Sequence, residues 1–73
     1  MQSSNKPCTA RELDCLYWSA LGKTSWETGK ILDLSERTVN FHLQNASAKL
    51  GVNGRRAAVV VAMQLGLLAN LVK

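Results

Sequence analysis

The stretch "SERTVNFHLQNASAKLG" (residues 35–51) reads as a helix with an unusual outer face. At one residue per 100°, Val39, Leu43, Ala46 and Leu50 gather on one side as an apolar stripe. The opposite side carries Arg37, Asn40, Phe41, Gln44 and Ala48, and no acid. A solvated helix face ordinarily carries charged and polar chains such as Glu and Lys. Two amides, a phenyl ring and a methyl group pointing away from the core call for a different neighbour.

The ends of this helix are written in local chemistry. Ser35 is its cap, and Leu34 with Val39 forms a hydrophobic staple that sets the approach angle of the chain. Glu36 sits in the first turn, where the helix dipole favours an anion, and Gly51 closes the other end. Upstream, "TSWE" repeats the pattern: Thr24 caps a helix of about eight residues ending at Leu32, with Glu27 in capping-box position. Gly29 inside it costs roughly 1 kcal/mol relative to Ala, so a closely crossing neighbour is expected there. Asp33 and Leu34 turn the chain, and Asp tolerates the left-handed conformation such a turn requires.

Two more helices flank this pair. The first has Thr9 as cap, Glu12 three residues on, and Gly22 at its end. Leu13, Leu16, Tyr17, Ala20 and Leu21 form its stripe, which Cys15 and Trp18 widen, so periodicity leaves its facing open. The last starts at Asn53 as cap, opens with Arg55 and Arg56, and stops at Gly66. Ala58, Val61, Ala62 and Leu65 form its inner stripe; Arg56, Val60, Met63, Gln64 and Leu67 lie opposite, flanked by Val59. It is apolar nearly all round, so its outer face should be covered by something. The whole is all-α: four helices, the middle two joined by a three-residue turn as a helix-turn-helix, in one domain over 8–69 with a flexible lead at 1–7 and a tail at 70–73.

Seventy-three residues with 47% apolar and 5% aromatic content fit one small helical domain of marginal core. The net charge of +4 is unevenly placed. Residues 1–36 hold four basic and five acidic side chains; residues 37–73 hold Arg37, Lys49, Arg55, Arg56 and Lys73 and no acid. That asymmetry suggests a polyanionic partner. Cys8 and Cys15, with one distant His, match no zinc pattern and read as free thiols, which fits a reducing, cytoplasmic setting. No cofactor is indicated. The apolar run over 57–72 is broken by Gln64, Gly66 and Asn70 and is too short to span a bilayer. His42 has no Ser, Cys or carboxylate spaced with it as a nucleophile–base pair, so an enzyme is not indicated.

Double-stranded DNA is the partner that the outer face of the third helix fits. Asn40 and Gln44 are one turn apart, and a primary amide donates and accepts at once, as the adenine N6/N7 edge requires. Phe41 suits a thymine methyl, Ala48 allows close approach, and Arg37 reaches a guanine or a phosphate. Phosphate contacts belong at the rim of the footprint. Lys49 flanks it; Lys23, Thr24 and Ser25 sit at the amino end of the second helix, whose free N–H groups attract anions; Arg55 and Arg56 open the fourth. Trp18 and Trp26 read as core, with Trp26 also able to reach the DNA backbone through its indole N–H.

The segments "TARELDCLYWSALGKTSWE", "LSERTVNFHLQNASAKLGV" and "RRAAVVVAMQLGLL" resemble the DNA-binding domain of LuxR-type transcriptional regulators, over about residues 8–68. "GKTSWE" and "NFH" resemble its quorum-sensing branch, in which an amino-terminal domain binds an acyl-homoserine lactone. The resemblance implies that the third helix reads DNA and the fourth mediates dimerisation. It places base reading on Asn40, Phe41 and Gln44, phosphate or support roles near Thr24, Thr38, Lys49 and Arg55, and a homodimer face on Val59, Val60 and Met63. It also turns Cys15 and Leu16 inward. RNA polymerase is a further candidate partner, and a lactone ligand enters only with an amino-terminal domain outside this sequence. Both a segment of a longer regulator and a short output-only member fit. Cys8 stands where the family has an aliphatic residue, Thr28 where it has an Ile-like one, and Gly29 where it has Ala; the last two weaken the second helix. A competing reading is a protein-interaction module that pairs with another regulator through its apolar fourth helix.

Overall fold

A computed structural model of the protein describes residues 7–69; the lead over 1–6 and the tail over 70–73 lie outside the described residues. Four helices follow one another: α1 (Ala10–Ala20), α2 (Ser25–Leu32), α3 (Glu36–Leu50) and α4 (Arg55–Gln64). The fold is all-helical among the described residues.

Three of the four starts obey their caps. The Thr9 side chain accepts from the Glu12 N–H at 3.2 Å, and the Glu12 carboxylate accepts from the Thr9 N–H at 2.9 Å. Thr24 and Glu27 form the same reciprocal pair at 3.0 and 2.8 Å, and Ser35 Oγ accepts from the Thr38 N–H at 3.1 Å. Each satisfies amide groups that the first helical turn leaves without partners. Asp33 sits at φ 61°, the left-handed conformation expected of the turn.

The start of α4 differs from expectation. Gly54, not Asn53, is the cap, and it makes no side-chain cap hydrogen bond. Its φ of 89° is costly for Asn and open to Gly. The Gly54 carbonyl accepts from the Ala58 N–H at 3.1 Å and from the Ser47 hydroxyl at 3.2 Å, so α3 anchors the start of α4 directly.

The end of α4 differs as well. The helix stops at Gln64, and Gly66, at φ 73°, reverses the chain so that the Leu67 N–H reaches the Ala62 carbonyl at 2.9 Å. Leu65, expected inside, is therefore 63% exposed, while Leu68 is buried in its place. A helical period extrapolated past the last turn assigned the wrong leucine.

The core consists of Cys15, Leu16, Val39, Leu43, Ala46, Ala58, Ala62 and Leu68. Cys15 and Leu16 are both fully buried, which settles the facing of α1. Burial pushes the Cys15 thiol up to about 11, with the Asp14 carboxylate adding to the rise, so it stays protonated and packs as a small hydrophobe. Ala20 and Leu21, assigned to the same stripe, are exposed. α3 touches each of the other three helices and is the centre of the domain. The close neighbour that Gly29 admits is the turn itself: a Cβ there would stand 2.4 Å from the Leu34 carbonyl oxygen.

One ion pair ties the first helix to the third. Lys49 Nζ lies 3.0 and 3.1 Å from the two oxygens of the buried Glu12 carboxylate. Burial pushes that carboxyl up, but the Thr9 N–H and the Lys49 ammonium outweigh it and hold it below the ordinary glutamate value.

Candidate nucleic-acid interface

Because Val39, Leu43 and Ala46 are buried, the helical period turns the opposite flank of α3 to solvent. Arg37, Asn40, Phe41, Gln44 and Ala48 are all exposed, and Phe41 retains 58% of its surface. Phe41 is the large apolar side chain that this flank of α3 leaves open to solvent. Phe41 and His42 stand side by side with ring centroids 6.0 Å apart.

Asn40 is not free on all sides. Its Oδ1 accepts from the hydroxyl of Ser25, the first residue of α2, and Ser25 Oγ in turn accepts from Arg55 Nη2 at the first residue of α4. Three helices thus meet at one exposed amide. A groove between α3 and the start of α4, lined by Asn40, Gln44, Ala48, Asn53 and Arg55, runs beside it. Asn53, assigned to a helix cap by sequence, lines this groove instead.

The rim residues divide. Lys23 and Arg56 are exposed cations, as is Arg37 on the face itself. Thr24 spends its hydroxyl on the α2 cap, and Thr38 accepts from Ser35 Oγ at 2.9 Å. Ser25 is buried, so its position suits holding Asn40 rather than meeting a phosphate directly. Lys49, read from sequence as a phosphate ligand, has its ammonium turned to Glu12 with both carboxylate oxygens in reach. Nothing in the local sequence around Lys49 marked that partner, because Glu12 had a full explanation as a cap residue.

Trp26 corrects the sequence reading: it is 57% exposed and not core. Its ring carries Lys30 Nζ at 5.2 Å from the centroid, a cation–π contact on the surface of α2. Trp18 is half-buried edge-on to Tyr17, with centroids 5.1 Å apart. On α4, Val60 and Met63 are 49% and 61% exposed, and Val59 packs partly against the core. No helix among the described residues is long and apolar enough to cross a membrane.

Two helices joined by a tight left-handed turn, the second presenting an acid-free, amide-bearing flank, define a helix-turn-helix DNA-binding domain. Comparison with known families agrees: residues 6–62 match the model described as "Bacterial regulatory proteins, luxR family", and the chain belongs to that family. It is 48% identical over 63 residues to the transcriptional activator protein LuxR of Aliivibrio fischeri, an alignment covering 86% of this chain and 25% of that protein. It is 52% identical over 60 residues to the transcriptional activator protein AnoR of Acinetobacter nosocomialis, covering 82% and 25%. The quorum sensing-dependent transcriptional regulator RpaR of Rhodopseudomonas palustris gives the same 52% over 60 residues, with the same coverage. Such chains are DNA-binding transcriptional regulators and not enzymes. The chain spans between 18% and 28% of the length of these and similar relatives.

Proposed function

We propose that this domain binds a specific DNA sequence by laying α3 in the major groove, with Asn40, Phe41 and Gln44 against base edges and Arg37 on a base or phosphate. The observation that carries the reading is the exposure of those four side chains on a flank without a carboxylate. Lys23 and Arg56 supply phosphate contacts at the rim, where cations fix register without specifying sequence. Two copies pair through the outer side of α4, Val59, Val60 and Met63, and read a partly palindromic site. Half-sites centred about 10 bp apart match one turn of duplex. Contact with RNA polymerase and a cytoplasmic location belong to the same reading, and response to an acyl-homoserine lactone joins it where an amino-terminal ligand-binding domain accompanies this one.

The open apolar face of α4 also supports a second reading, a module that pairs with another regulator. Selection of bound duplexes from a random pool, followed by gel-shift titration of the winners, separates the two. An enriched, partly palindromic motif supports direct reading. A chain that enriches nothing and retards no probe acts through its apolar face instead.

A further inference from the structure

We infer that Ser25 and Arg55 act as positioning residues that fix which end of the Asn40 amide faces the DNA, so that Asn40 reads its base as a hydrogen-bond donor. This rests on the reading of Asn40 as a base contact. The direction of the relay follows from the groups themselves. A guanidinium has donors and no acceptor, so at the Arg55 contact the Ser25 oxygen must accept. The Asn40 atom that faces Ser25 is its carbonyl oxygen, which can only accept, so the one hydrogen of the Ser25 hydroxyl goes to Asn40 Oδ1. With the carbonyl end of the amide drawn toward buried Ser25, the amino end is left to the open flank of α3.

An amide held this way differs from a free one. A free Asn rotates to match either a donor or an acceptor, and its ideal partner is an adenine edge offering both. A pinned amide offers N–H groups first. Guanine and thymine present acceptors in the major groove, adenine presents one beside its amino group, and cytosine presents only its N4 amino donor. Cytosine on the contacted strand is therefore the base this device rejects. Because Ser25 opens α2 and Arg55 opens α4, the preference is set by two helices that do not themselves enter the groove.

The test measures base preference at each position of a selected operator for the 73-residue chain and three variants, with circular dichroism confirming the fold. Asn40→Ala locates the position: preference there should flatten. Asn40→Asp replaces the outward donor with an acceptor at an exposed site, and cytosine should become the favoured base. Ser25→Ala should reduce the discrimination against cytosine at that position by roughly fivefold or more, the lower bound for a good base contact, while positions set by Gln44 keep theirs. An Asn40→Asp chain that keeps the parent preference, or a folded Ser25→Ala chain that still rejects cytosine, overturns the relay. If Asn40→Ala flattens no position, the base-reading assignment itself fails, a result distinct from either of those.

Discussion

Lys49 and Glu12, 37 residues apart, form a half-buried ion pair in which one ammonium faces both carboxylate oxygens at 3.0 and 3.1 Å. The same carboxylate accepts the Thr9 N–H at 2.9 Å. Glu12 therefore caps α1 and docks α3 onto it at once. Replacing it by Ala should remove a cap, about 0.5–2 kcal/mol, and leave the half-buried Lys49 without its anion. Breaking a buried pair costs about 3–5 kcal/mol, and this one keeps some contact with water, so a total near the lower figure is expected. Urea unfolding of the Glu12→Ala chain would read the loss; a midpoint within error of the parent would show that the pair contributes nothing.

The pair also sets an acid limit. The folded pKa of Glu12 lies below its unfolded value, about 4.3, because the Thr9 N–H and Lys49 more than offset burial. A lowered folded value means the carboxylate stabilises the fold above the unfolded pKa, and the contribution disappears as pH falls through the folded one. Stability should thus hold from pH 7 to about 5 and drop below about pH 4. The Thr24 N–H and hydroxyl likewise hold Glu27 low, adding an exposed contribution of the same sign. A Glu12→Gln chain should show a flatter acid limb; an unaltered limb would assign the acid sensitivity elsewhere.

On the DNA face, Gln44→Ala should weaken specific binding by roughly 1–3 kcal/mol and relax preference at one base position. Fluorescence titrations on the selected operator and on a scrambled duplex give the two affinities. Equal losses on both would make Gln44 a backbone contact.

Salt dependence separates free cations from spent ones. Lys23→Ala should lower the slope of log affinity against log salt by about one unit, since one fewer counterion is released. Lys49→Ala should leave the slope as it is and act through stability, because its charge already faces Glu12. A slope change for Lys49 matching that for Lys23 would return it to the footprint.

The turn between α2 and α3 stores a small cost in Asp33, the one non-glycine at positive φ among the described residues. Glycine at that φ carries no Cβ penalty but loses more chain entropy on folding, so Asp33→Gly should raise stability by no more than about 1 kcal/mol. Calorimetry would show a small upward shift in Tm. A decrease would mean that the Asp33 side chain has a role in the turn.

What could be read without coordinates was whatever chemistry closes within a few residues. Thr9 with Glu12, Thr24 with Glu27, and Ser35 with Thr38 are pairs three positions apart, so their caps are spelled out in the chain itself. The outward flank of α3 was legible too, since one buried stripe fixes the opposite side of a regular helix. Regularity is also where that reading stopped: the period carried past Gln64 chose Leu65, and Gly66 delivered Leu68 to the core instead. Trp26 was assigned inward on hydrophobicity, yet its place depends on which side of α2 meets α3, which α2 alone does not state. Lys49 facing Glu12, and Arg55 reaching Asn40 through Ser25, join side chains 37, 30 and 15 residues apart. Such partners exist only once helices are set against one another, because a side chain's reach is a few ångströms in space and carries no sequence distance.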